Sequence, residues 1–145
     1  MSNVLLNLAD EPRYDEITTA DIKPAMQAAI AEARDAIAGV KAQADIAWGN
    51  TVGQLTDITE RVGRIWGVVA HLNSVVDTPE LRAVYNGLMP EVTQFFTEIS
   101  LDIDLYNRFK TIKASAEFAQ LAAAEQQKLN HDLRDFVLSG AELTA

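Results

Sequence analysis

Residues 77–112 read DTPELRAVYNGLMPEVTQFFTEISLDIDLYNRFKTI, and the period within this stretch decides the fold class. It opens with Asp77-Thr78-Pro79-Glu80, a cap, a first-turn proline and an early acid, which together mark a helix start. Behind that start, Leu81, Val84, Tyr85, Leu88, Val92, Phe95, Phe96, Ile99, Ile103, Tyr106, Phe109 and Ile112 recur at the helical period. The spacing predicts one long helix over 79–113. Pro90 lies inside it, and a proline lacks the amide proton and clashes with the carbonyl four residues back. A kink near Asn86 to Pro90 is therefore expected.

The same period extends outward in both directions. Toward the N-terminus, Val52, Leu55, Ile58, Val62, Ile65, Trp66, Val69 and Leu72 predict a helix over 51–74, with Asn50 or Thr51 as its cap. Before it, Ile22, Met26, Ile30, Ala33, Ile37, Val40 and Ala44 paint a single stripe and predict a helix over 20–44. Thr18, Thr19 or Asp21 can cap that helix, and Pro24 suits a first-turn position. Residues 1–17 carry no such pattern and are expected to be extended or disordered. Toward the C-terminus, a short helical turn from Ser115 to Leu121 leads into a helix bearing Leu129, Leu133, Phe136 and Val137, the whole spanning 115–139. Gly140 is placed to end it with a positive φ. Strand signals are nearly missing, and no repeat, low-complexity tract or Pro/Gly-rich linker divides the chain. The expected fold is all-α: one domain over 1–145, a single bundle of about four principal helices with the third long and kinked near Pro90.

Composition narrows the function classes. A chain of 145 residues buries about 68–70% of its unfolded surface and needs no staples. The absence of cysteine removes disulfides, thiolate metal sites and cysteine nucleophiles together. A net charge of −9 repels phosphate backbones and anionic membranes, so neither nucleic acid nor membrane is an expected partner. The N-terminus lacks a basic n-region, and Asp10 and Glu11 interrupt any apolar run, so no signal peptide is read there. Ile65 to Ala70 is far too short an apolar run to span a bilayer. A cytoplasmic location is expected.

The chemistry-bearing residues are dispersed. The two histidines, His71 and His131, belong to no His-Glu-x-x-His motif, and Val68 and Lys128 occupy the positions where a di-iron bundle needs glutamate. No Gly-x-Ser-x-Gly elbow exists, and the Ser139-Gly140 pair is explained by helix termination. The seven glycines stand singly, which excludes a phosphate-binding loop. The carboxylate pairs Asp102 with Asp104 and Asp132 with Asp135 read as solvated faces. Trp48 reads as an anchor before the second helix and Trp66 as a core ring. His71 is expected to be hydrogen-bonded and partly buried, and Phe95, Phe96, Tyr106 and Phe109 to form a packed aromatic row. No catalytic, cofactor-binding or metal-ligating residue is therefore assigned.

Several stretches nonetheless resemble one family in order. Ile22-Lys-Pro-Ala, Trp48-Gly-Asn-Thr51, Val62-Gly-Arg-Ile-Trp66, His71-Leu-Asn-Ser-Val75, Thr78-Pro-Glu-Leu-Arg82-Ala-Val-Tyr85 and Leu133-Arg-Asp-Phe-Val-Leu-Ser-Gly140 are similar to the front of the thimet-type zinc oligopeptidases, within them to the bacterial oligopeptidase A branch. The resemblance implies an N-terminal fragment of a longer, cytoplasmic zinc metallopeptidase that cleaves short peptides in a channel between two helical halves. The family's His-Glu-x-x-His helix lies downstream of this region, so zinc is implied for the full-length parent and not for this fragment. The implied role is structural: helices that form part of the channel wall and exclude folded proteins. The implied partners are the remainder of the parent chain and, for the whole enzyme, short peptides, and the isolated fragment is expected to self-associate through an uncovered apolar face. The alternative is a free-standing helical module that binds a partner helix in a groove. A third reading, an enzyme using scattered carboxylates, is expected to show no turnover.

Overall fold

The apolar stripes read from the sequence become five α-helices in the computed structural model, which describes residues 3–8 and 11–144. They are α1 (Thr19–Ala42), α2 (Gln54–Val76), α3 (Pro79–Ser100), α4 (Ile103–Ala114) and α5 (Ala123–Ser139). Short 3-10 turns cover Val4–Asn7, Tyr14–Glu16, Ala116–Gln120 and Ala141–Thr144, and one wider π-type turn covers Gly49–Gly53. No strand occurs among the described residues. Of the segment expected to be extended, residues 1, 2, 9 and 10 lie outside the described ones; Leu5, within it, is fully buried.

The long third helix expected over 79–113 is two helices. It runs unbroken through Pro90 and ends at Ser100 instead. Pro90 and Asn86 are both exposed, so water can satisfy the carbonyl that the proline leaves without a donor. The break is made by Asp102, whose extended backbone (φ −73, ψ 106) starts α4. Its Oδ1 accepts from the amides of Asp104 and Leu105, both at 3.0 Å, which satisfies two donors that a helix start otherwise leaves orphaned. Pro24 is also displaced from its expected place: it is the sixth residue of α1 rather than a first-turn residue. Ala20, whose carbonyl it cannot serve, is an exposed residue.

The chain divides into two compact units, the first formed by residues 1–36 and 58–94, the second by 37–57 and 95–145. In the first, Ile22, Met26 and Ile30 of α1, Ile65 and Val69 of α2, and Leu81 and Leu88 of α3 are almost wholly removed from water. Each such side chain contributes on the order of 1.5–3 kcal/mol by leaving water. Trp66 stacks on Tyr85 with ring centroids 4.7 Å apart and planes 4° from parallel. Asn3 ties the N-terminal turn to α1 by donating Nδ2 to the Asp21 carbonyl at 2.8 Å.

In the second unit, Ile37 and Val40 of α1, Val52, Phe95, Leu105, Phe109, Ile112, Leu129 and Phe136 form the core. Phe136 meets Phe109 edge-on at 5.2 Å and Tyr106 at 5.6 Å. Phe96, expected in this aromatic row, is 36% exposed and meets Phe95 edge-on at 5.1 Å. The end of α1 is held by Arg108, whose Nη2 donates to the carbonyls of Lys41 and Gln43. Those carbonyls have no partner within the helix, so a guanidinium here both pairs them and complements the negative end of the helix dipole.

Candidate functional site

The residues most able to do chemistry have separate local surroundings. His71 is exposed on α2, and its ring lies 5.3 Å from that of Tyr14, tilted by 57°. It is therefore an exposed aromatic partner and not the partly buried histidine expected from its place near the stripe. His131 is exposed on α5 in the other unit. Among the described residues no three of His, Asp or Glu converge on a point where a metal ion could sit.

The carboxylates are occupied individually. Asp102 was expected on a solvated face; instead its Oδ1 caps α4 and its Oδ2 takes the Lys41 ammonium at 2.7 Å. Asp104 is exposed in the first turn of α4. Asp132 accepts from Lys128 at 2.9 Å, while Asp135 lies 3.8 Å from Arg134. Of these four acids no carboxylate is hydrogen-bonded to another, whereas acid–base catalysis by two carboxylates needs a pair acting on one site.

Trp48 does anchor the entry to α2. Its carbonyl accepts from Thr51 and Gly53, and its amide donates to both carboxylate oxygens of Glu117, at 3.2 and 3.1 Å. Asn50, expected as a helix cap, closes the loop in front instead: its Oδ1 accepts from Ala47 N and its Nδ2 donates to the Asp45 carbonyl. At the other end of the unit, the Tyr106 hydroxyl donates to Glu142 at 2.5 Å. That hydrogen bond, then partial burial and the charge of Glu142, raise the phenol above its ordinary value. Asp21 is shifted the other way, because the Thr18 hydroxyl and amide both donate to its carboxylate and hold it below the ordinary value.

An open groove of about 350 Å³ lies between α1 and α3 in the first unit. Ala83, Val84, Gly87 and Leu88 form its apolar part and Lys23, Gln27 and Glu91 its polar part, with Gln27 Nε2 donating to Glu91 at 3.4 Å. It holds no histidine, no hydroxyl nucleophile and no second acid, so it can receive a side chain but has nothing with which to cleave a bond. Neither the groove nor the Tyr106–Glu142 and Trp48–Glu117 links were legible beforehand, since their partners lie 64, 36 and 69 residues apart in sequence.

Comparison with known proteins gives a consistent set of likenesses. Residues 26–145 match the model of the neurolysin/thimet oligopeptidase N-terminal domain. The chain is 37% identical over 144 residues to oligopeptidase A of Haemophilus influenzae and 33% identical to oligopeptidase A of Salmonella typhimurium, each alignment covering 99% of this chain and 21% of the relative. It is also 30% identical over 142 residues to the probable cytosolic oligopeptidase A of Arabidopsis thaliana, with 98% and 20% covered. The chain thus spans about a fifth of the length of the curated relatives it matches.

Proposed function

The chain belongs to the neurolysin/thimet oligopeptidase family as its N-terminal domain, and from that premise we propose that it is the non-catalytic part of a longer cytoplasmic metallopeptidase that hydrolyses short peptides. One observation carries the division of labour: in a chain similar to peptidases over 99% of its own length, no three His, Asp or Glu among the described residues could hold a metal ion. Its contribution is shape. A water activated by zinc attacks any peptide bond that reaches it, so selection by size has to come from rigid walls around the metal. Helices whose apolar stripes are locked into packed cores supply such a wall.

The residues here do not fit the zinc of the whole enzyme. Zinc binding in catalytic sites takes three protein ligands converging within about 2.0–2.3 Å of the ion, and His71 and His131 each stand apart from any such group. The ligands, and the general base with them, belong to the polypeptide downstream of this domain.

The test uses the full-length gene product. It is expected to cleave a quenched peptide of about eight residues and to leave the same sequence intact when it is embedded in a folded protein, because a pocket must bury most of a ligand to act on it. Equal cleavage of both substrates would remove the channel-wall role. A gene product that ends at Ala145 and captures a partner helix would favour a free-standing interaction module instead.

A further inference from the structure

Resting on the reading that this domain heads a longer chain, we propose that the last turn of α5 and the turn after it form the seat for polypeptide that follows residue 145. On α5 the large apolar side chains exposed to solvent are confined to that last turn: Val137 is 42% exposed and Leu138 is 77% exposed. Earlier exposed positions on the helix, such as Gln127, Asn130 and Arg134, are polar. Leu143 follows in the closing 3-10 turn and is 89% exposed.

These leucines are displayed on fixed backbone. Gly140 has φ 97, a conformation that reverses the chain at the helix end, and its amide bonds back to the carbonyl of Val137 at 3.0 Å. Ala141 is then completely buried, and Glu142 is bound by the Tyr106 hydroxyl at 2.5 Å. The chain is therefore pinned at Ala141 and Glu142 while Leu138 and Leu143 face water. Exposing leucine on a fastened turn gains nothing for an isolated domain, because its apolar surface stays in water.

The occupant follows from the length of the family. The relatives are about five times as long as this chain, and the matching model is that of an N-terminal domain, so some four-fifths of the polypeptide comes after it. Leu143 lies two positions before residue 145, after which that polypeptide would continue. Downstream polypeptide, being covalently tethered to this seat, meets it at a high effective concentration. An apolar face on that polypeptide is the complement of the two leucines.

Thiol protection tests this in the full-length protein, and the absence of native cysteine in residues 1–145 makes introduced ones unambiguous in this domain. Leu138→Cys and Leu143→Cys variants are each reacted with a maleimide, natively and in urea, and the rates are read peptide by peptide by mass spectrometry. The domain alone leaves both positions open, so native labelling at least about tenfold slower than in urea is expected only if downstream chain covers them. Native rates within about twofold of the urea rates at both positions overturn the proposal. Protection that vanishes on dilution also overturns it, by marking a second copy as the occupant. An intact mass that shows no polypeptide beyond residue 145 defeats the function reading itself and this proposal with it.

Discussion

Gly140 and Gly39 show how position decides what one methyl group does. Gly140 sits at φ 97, where an L side chain is strained whatever space surrounds it. Gly140→Ala is expected to destabilise by about 1–2 kcal/mol. Gly39 lies in α1 with nothing within 4 Å of an added Cβ, so Gly39→Ala is expected to stabilise by about 0.5–1 kcal/mol. Urea midpoints of the two variants check the pair, and equal signs would contradict the backbone account. Tyr106 gives a pH signature. Its folded-state phenol titrates above the unfolded one, so its contribution is complete below pH about 10 and fades as pH rises through the raised value. Tyr106→Phe should therefore remove part of the alkaline loss of stability and leave the slope near neutrality unchanged, measured as urea midpoints against pH.

At the scale of the element, the informative case is the break between α3 and α4. Asp102 caps α4 and pairs with Lys41, 61 residues away in sequence. Asp102→Ala is expected to cost about 0.5–2 kcal/mol for the cap, with a further loss from the ion pair, whereas Asp104→Ala should stay within about 0.5 kcal/mol. Circular dichroism with urea titration reads both, and equal costs would mean that the break is set elsewhere. Periodicity could not show this break, because Ile99 and Ile103 keep the four-residue spacing straight across it. The information that ends α3 lies in a contact with distant Lys41 and in an Asp that reads equally well as an exposed helical acid. Where a signal is local it was legible: Thr78 caps α3, its Oγ1 accepting from Leu81 N at 3.2 Å, and Gly140 ends α5 as its type suggests. His71 was misplaced for the same reason as the break, since the Tyr14 ring beside it is distant in sequence and leaves no mark on the spacing.

For the whole molecule, the scarcity of imidazole, the absence of thiol and the lack of any nucleophile motif were visible from composition and spacing alone. What composition could not show is where the apolar surface remains open, because that depends on which faces the five helices cover. The central claim is that this domain shapes a peptidase without taking part in its chemistry. The most direct measurement is peptide hydrolysis by the full-length protein carrying His71→Gln and His131→Gln together, which removes every imidazole of this domain. The expected kcat stays within about threefold of the unmodified enzyme, whereas loss of a general acid or base costs about 10²–10⁴-fold. A fall of that size, with the fold intact by circular dichroism, would place a catalytic group in this domain and contradict the claim.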